Sequence, residues 1–500
     1  MQPLDWAGLK AALHGLDLCD NAAALEAASR DYYWYSPILH AQLANKRGEL
    51  LVKPRGQAEV MRIAAACAKF RVPLTVRGGG TGNYGQCVPL EGGVILDITR
   101  LNRIVSIRPG RMLCEAGALI ADLDRAARDP QAALRGAVPG CEALAVTNGD
   151  AAGAVTGGTS SAATGAAASA ATAPAPGFAP QEILIYPSTR DIATIGGFIA
   201  GGYAGAGSIR NGILKDPGNV SMIRVVTLEE SPRVIELRDA DIQKVHHAFG
   251  TNGIITQLEI ALKPAVAWLH HITLFPDYAA ALAFGVAVTQ AGIDTFLLTP
   301  VERRFAPFYG VLGRRFPPDR DAMFAMVHPA QLDAWRALAQ RSNGVETLCL
   351  DEAAVHAAGL PPAFECSYNH TTLMALKMDR GYTYLQVAYP QPFDIALVTR
   401  QMERYGDELF FHHEFARQFG DYALFALPLV VYFDQARINE IISEFEADGC
   451  LVFNPHVYTI EDGGMKTIDT AQIDFKKIAD PHGLMNPGKT RGWTKDMARP

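Results

Sequence analysis

At 500 residues the chain is longer than one hydrophobic core usually supports, so two domains are expected. Hydrophobic residues make up 49% and charged residues 19%, the balance of an ordinary globular protein, and the formal net charge of −7 gives no basic footprint for nucleic acid or anionic lipid. The first residues show no basic n-region or long apolar core, no window reaches the apolar length of a membrane span, and eight scattered cysteines form no C-x-x-C pair, so a reduced, cytoplasmic protein with buried thiols is expected.

Residues 1–44 read as a helical lead-in whose aromatic run, Tyr32 to Tyr35, suits packing better than binding. Leu51 to Pro54 reads as a short strand. Gln57 to Phe70 follows as an amphipathic helix, with Val60, Ile63, Ala64, Cys67 and Phe70 on one side at helical spacing. Pro73 to Val76 is a second strand and Val94 to Leu96 a third. Strands at Ile104–Ile107 and Met112–Gly117 precede a helix over Ala118–Arg128. From about Ala265 the texture changes. Trp268–Phe275 alternates like a strand, Tyr278–Ala291 reads as a helix, and Asp294–Thr299 as a strand. A helix over Ala330–Arg341 and strands near Tyr382–Val387 and Ala423–Tyr432 complete an α+β pattern.

The chain is organised around the stretch between the second and third strands. Arg77, Gly78, Gly79, Gly80, Thr81, Gly82, Asn83, Tyr84, Gly85 and Gln86 form a loop that can turn sharply and bring several backbone N–H groups close to an anion. Gly80, Gly82 and Gly85 satisfy G-x-G-x-x-G, but the dinucleotide fold needs a helix directly after the glycines to receive the pyrophosphate. Gln86 to Gly93 holds a proline and two glycines and is too short for one. The loop therefore joins strand to strand, and it wraps a pyrophosphate in another way.

The order K-P, amphipathic helix, V-R-G-G-G-T-G, L-D-I-T-x-L-N-R-I, A-T-I-G-G-F-I-A-G-G, A-F-G-T-N-G-I-I-T-Q-L-E-I-A-L-K-P and a closing D-P-H-G-L-M-N-P-G-K is the second observation. In it the chain resembles the FAD-linked oxidoreductases of the vanillyl-alcohol oxidase / p-cresol methylhydroxylase (PCMH) type, well over residues 45–265 and through the closing motif. The resemblance implies an α+β fold: a two-subdomain FAD-binding domain at 45–265, a cap or substrate domain at 266–450, and a segment at 451–500 returning to the FAD domain. It implies that Arg77 to Gln86 wrap the pyrophosphate. Thr194, Ile195, Gly196, Gly197, Ala200, Gly201, Gly207, Ser208 and Gly212 would lie against the flavin and its ribityl chain. Gly253, Ile254 and Ile255 would hold the adenine end through main-chain groups, and Asn486 marks the closing turn. Thr81 stands where the family's linking histidine often lies, so FAD is expected to be non-covalent. One departure is the stretch of about 143–180, without charge from Ala151 to Pro180, which reads as an inserted low-complexity loop, with a mobile lid as the alternative.

Flavin chemistry asks for a dry pocket and an acceptor for any hydroxyl proton. The metal-binding segment H-V-G-D-G-N-x-H of some relatives is missing, and adjacent His412 and His413 point to opposite faces of an extended chain, so no metal is expected. Polar residues among aromatics offer a substrate wall: Glu365, Asn369 and His370; His412, His413, Glu414 and Arg417; His456 and Tyr458. His413 and Arg417 lead, because they share a face whether the segment is strand or helix. Arginine would hold a carboxylate and neutral histidine would accept the hydroxyl proton. Core packing of His413 with Arg417 at the surface is the competing reading. The expected function is hydride transfer from a small alcohol, hydroxy acid or sugar-like substrate to flavin N5, with an electron acceptor and oligomeric state that the residues do not name. A flavin-fold binding protein without turnover and a nicotinamide-dependent dehydrogenase are the alternatives.

Overall fold

The computed structural model describes residues 4–499 apart from 135, 137, 142–144, 147–178, 465 and 466. The N-terminal part is built on a four-stranded sheet in the order Leu18–Cys19, Leu50–Val52, Val94–Asp97, Leu74–Arg77. Leu50–Val52 and Leu74–Arg77 both run parallel to Val94–Asp97. The first crossover is the helix Gln57–Lys69, which buries Val60, Ile63, Ala64 and Cys67 on the sheet, as its spacing predicts. The second, between Leu74–Arg77 and Val94–Asp97, is the glycine loop itself. It contains no helix, which removes the dinucleotide-fold reading.

A seven-stranded sheet follows, in the order Val234–Arg238, Val220–Val226, Ile254–Pro264, Arg111–Glu115, Ile104–Arg108, Ala145–Val146, with Gln181–Ile183 paired to the far end of Ile254–Pro264. The segment expected as an insertion, 143–180, falls almost wholly outside the described residues. Ala145–Val146, placed inside it from sequence, instead pairs parallel with Ser106 and Ile107 of Ile104–Arg108.

Beyond Pro264 the strands regroup. Thr295–Val301, Asp321–Val327, Leu269–Phe275 and Val345–Asp351 form an antiparallel sheet covered by the helices Tyr278–Gln290 and Leu332–Arg341. Two small antiparallel sheets complete this part. One holds Tyr382–Tyr384, Leu429–Val431 and Leu409–Phe410; the other holds His413–Gln418, Asp421–Ala426, Gln386–Ala388 and Leu451–Phe453. At the junction Glu182, 1% exposed, accepts hydrogen bonds from Arg128 Nη2 (2.7 Å), Val266 N (3.2 Å) and Trp268 Nε1 (3.0 Å), which fixes where the chain leaves its long strand. A buried carboxylate held this way is expensive to leave half-paired, so the junction is rigid. Among the described residues no helix is long and apolar enough to cross a membrane.

Candidate functional site

A cavity of ≈250 Å³ lies between the two glycine segments and the sheet His413–Gln418, Asp421–Ala426, Gln386–Ala388, Leu451–Phe453. Gly78 to Tyr84 and Gln86 line one end. The loop is clamped from behind. The Arg77 guanidinium donates to the carbonyls of Ala28 (3.2 Å) and Arg30, and it fills the space where Gly80 would carry a Cβ. Gly80 (φ +64°) and Gly85 (φ +70°) take the left-handed turns that glycine permits. Tyr32 N donates to Gly82 O (2.7 Å), and Lys489 Nζ donates to Gly85 O (2.6 Å). Asn486 Nδ2 donates to both Gln86 O (2.7 Å) and Phe249 O (2.6 Å), so the closing turn ties two loops of the cavity together. Arg77, Gly85 and Asn486 thus support the loop and do not line the cavity. Among the described residues, the backbone N–H groups of Gly79 to Asn83 donate to no protein acceptor. A run of unused donors at the wall of a cavity is a cradle for an anion.

Asp31 and Cys87 also line this end, and neither was singled out from sequence. Burial raises the Asp31 carboxyl and lowers the Lys489 ammonium, with Arg77 and Lys489 partly offsetting the rise at Asp31. Burial also pushes the Cys87 thiol up to about 11, which makes it a poor nucleophile.

The second glycine segment gives the cavity its side wall through Thr194, Gly196, Gly197, Ala200 and Gly201, and Gly253 and Ile255 join them. Thr194 caps the helix Ile195–Gly201. Glycine serves two different ends here. Gly250, at φ +65°, takes a left-handed turn in the lining that glycine permits. Gly207 and Gly212, placed against the flavin from sequence, are instead packing positions with Ser208: a Cβ on Gly207 would run into Leu184 O and one on Gly212 into the Asp216 carboxylate. Ser208 Oγ accepts from Gly205 N (3.0 Å). Ile195 and Ile254 turn into the core, because each neighbours a lining residue on a regular element.

The other end of the cavity is lined by Tyr368, Asn369, Gln386, Val387, Phe425, Leu427 and Phe453. Tyr84 OH donates to Gln386 Oε1 (2.6 Å), joining the glycine loop to this wall. Tyr368, at φ +49°, is held by its N–H on Glu414 Oε1 (2.6 Å) and its hydroxyl on Gly205 O (2.8 Å). Tyr203 packs edge-on to Phe425, ring centroids 6.1 Å apart, and lies 5.8 Å from Phe453.

None of the five residues expected to do chemistry lines this cavity. His413 is fully buried, shares a 2.6 Å hydrogen bond with Tyr278 OH, and lies between Tyr389 and Phe411; burial holds its imidazole well below the usual range, hence neutral. Arg417 spends its donors on Ile209 O, Gly420 O and Tyr422 OH. His412 packs edge-on against Phe305, with Nδ1 3.6 Å from Glu414 Oε1. Glu414 accepts from Thr299 Oγ1 (2.5 Å) as well as Tyr368 N, so it touches the site only through Tyr368. His456 shares a 2.7 Å hydrogen bond with Ser36 Oγ, and burial lowers it to about 4. The physical reason is the alternation of the strand His413–Gln418. Its odd face turns into the core beneath the helix Tyr278–Gln290, with Phe415 against Gly285, while Glu414 stands opposite Phe425 on the face toward the cavity. The pairing of His413 with Arg417 was sound, but their face was the wrong one. Of the wall residues the sequence singles out Asn369; Tyr368, Gln386, Phe425 and Phe453 carry no motif.

Among the described residues one group of potential metal ligands, His271, Glu346 and Cys349, lies on the sheet beyond Pro264, away from the cavity. Its carboxylate is already engaged: both Glu346 oxygens accept from Arg336 (2.8 Å each), and His271 Nε2 lies 3.0 Å away.

Comparison with known proteins bears on this arrangement. A family model described as an FAD binding domain matches residues 49–173. Glycolate oxidase subunit GlcD of Escherichia coli (strain K12) is 43% identical over 60 residues, 12% of this chain and 12% of that protein. The mitochondrial D-2-hydroxyglutarate dehydrogenase of Rattus norvegicus is 32% identical over 79 residues, 15% of each chain. D-lactate dehydrogenase of Archaeoglobus fulgidus is 34% identical over 79 residues, 16% of this chain and 18% of that one. The match therefore spans about an eighth of the length of the glycolate oxidase subunit. A solved structure of alkyldihydroxyacetonephosphate synthase superposes over 98% of this chain and 86% of its own with a TM-score of 0.66, at 13% identity, which is a likeness of fold.

The residues present fit FAD. The unused N–H groups of Gly79 to Asn83 suit a pyrophosphate, glycines of both segments line the cavity with backbone rather than side chain, and the Arg77 guanidinium sits behind the loop as a counter-charge.

Proposed function

We propose that this chain, which carries an FAD binding domain of the PCMH type, is a flavin-dependent oxidoreductase that oxidises a small hydroxylated molecule at the cavity. The observation that carries the reading is the two-ended cavity, with free backbone donors at one end and an amide-and-aromatic wall at the other. The glycine loop binds the anionic linkage of the cofactor, and the wall from Tyr368 to Phe453 holds the substrate against it. Bound FAD supplies a two-electron acceptor of hydride. The substrate loses a C–H hydride and its hydroxyl proton, becoming a carbonyl compound, and the proton passes to solvent. Phe425, Leu427, Val387 and Phe453 exclude water from the reacting carbon, and Tyr368 and Gln386 fix the wall to the FAD-binding half through Gly205 and Tyr84.

The named relatives include a glycolate oxidase subunit, a D-lactate dehydrogenase and a D-2-hydroxyglutarate dehydrogenase, which supports oxidation of a carbon bearing a hydroxyl group as the reaction class. The cofactor is held without a covalent bond: Thr81 offers no linking side chain, and the lining histidine His247 has its Nδ1 3.0 Å from Gly202 O. The test is anaerobic mixing of the purified, FAD-loaded protein with a panel of alcohols, hydroxy acids and sugars. At least one class should bleach the flavin within a turnover. A flavin that no member of the panel reduces, yet dithionite does, would favour a binding protein that has lost turnover.

A further inference from the structure

The substrate end of the cavity contains no cation. Among the described lining residues the one formally charged side chain is Asp31, at the glycine-loop end, and there is neither lysine nor arginine. The nearby positive groups are committed behind the loop: Arg77 to the carbonyls of Ala28 and Arg30, Lys489 to Gly85 O. Arg417 is committed elsewhere, to Ile209 O, Gly420 O and Tyr422 OH. A carboxylate taken from water into such a wall would lose its hydration and gain no counter-charge, so the wall disfavours it.

What the wall does offer is neutral. Asn369, on the first turn of the helix Tyr368–Met378, has a buried Oδ1 with no hydrogen-bond partner. Buried acceptors are rarely left unused, so this one asks for a donor from a ligand. Gln386 has its Oε1 occupied by Tyr84 OH, which leaves its amide N–H groups, with no acceptor among the described residues, to face a ligand. One acceptor and one donor, set among Val387, Phe425 and Leu427, match a hydroxyl on an otherwise apolar body.

We propose that the substrate is an uncharged, largely apolar alcohol rather than a hydroxy carboxylate, with its hydroxyl donating to Asn369 Oδ1 and accepting from Gln386 Nε2. This rests on the reading of the cavity as the site of a flavin-dependent alcohol oxidation. It separates this chain from what the names of its relatives would suggest. Asn369 and Gln386 orient the hydroxyl and set specificity; neither takes the proton.

A matched pair of probes tests the proposal: 1-phenyl-1,2-ethanediol and mandelate differ in a neutral hydroxymethyl against a carboxylate. Titrated into the FAD-loaded protein, the diol should perturb or bleach the flavin spectrum at concentrations at least tenfold below those mandelate needs. Asn369→Leu should weaken the diol about tenfold with FAD content unchanged. Gln386→Arg, which adds the missing cation, should narrow or reverse the preference toward mandelate, a change that structural damage alone would not produce. Equal or tighter binding of mandelate by the unaltered protein would overturn the proposal, as would failure of both probes to perturb the spectrum or shift the melting temperature. Should the protein hold no FAD, the reading as a flavoenzyme fails on its own, and the melting shifts of the same pair still decide between neutral and anionic ligands.

Discussion

Gly79 shows how much can depend on one hydrogen atom. A Cβ there would overlap the carbonyl oxygen of Ile192 and crowd Ala193 Cα at 3.3 Å, and backbone atoms cannot swing aside as a side chain can. At Gly82 the atom in the way is the Gln86 side-chain amide, which can move, and its φ is not in the left-handed region. Gly79→Ala is therefore expected to weaken FAD retention at least tenfold and to lower stability by about 1–3 kcal/mol, while Gly82→Ala does less of both. Flavin content after gel filtration, with thermal melts alongside, checks the order; equal retention by the two variants would contradict the clamp on Gly79. At this scale the sequence was informative where backbone did the work. The glycines within 78–82 and Gly196 and Gly197 stand out in the sequence as clusters, whereas Gly253 was reached only through the family resemblance, and Gly207 and Gly212 of the second cluster pack rather than line the cavity. Asn369 and Gln386 cannot be weighed that way, since an amide gains its meaning from what surrounds it.

For the elements, periodicity located the strands and helices but did not say which face met the cavity. The helix expected over Gln57 to Phe70 appears as Gln57–Lys69, and the strand expected over Trp268 to Phe275 as Leu269–Phe275. The strand His413–Gln418 has apolar groups on both faces, Phe415 on one and Ala416 on the other, so alternation left its orientation open. The strand Leu269–Phe275 makes a further expectation. Its His270 is 2% exposed, accepts from Ala363 N (3.0 Å) through Nδ1, and is lowered by burial to about 4. A folded-state value below the unfolded 6.5 means that the unfolded chain binds the extra proton between the two. Stability is thus full above about pH 6.5 and is lost as the pH falls toward 4. At pH 5 the loss from this one group is about 2 kcal/mol. His270→Asn keeps an acceptor near the Nδ1 position and removes the titration. Its melting temperature should fall less than that of the unaltered protein between pH 7 and pH 5; parallel falls would show that His270 titrates normally.

Across the whole molecule, distant parts of the chain meet at the cavity. Asn486 reaches Gln86 and Phe249, and Lys489 reaches Gly85, so residues near the C-terminus hold the loop formed by residues 78–86. That return was legible only through the family resemblance carried by the closing motif. The substrate wall was not, because it draws one or two residues from each of several short strands whose pairing depends on the complete fold. Together these parts make a cavity whose residues fit FAD. The most direct measurement is the visible spectrum of the purified protein, taken after incubation with excess FAD and removal of the unbound cofactor, then repeated on the supernatant of an acid precipitate. One oxidised flavin per chain is expected, released into the supernatant as FAD; a protein that stays colourless after that incubation would contradict FAD binding at the cavity.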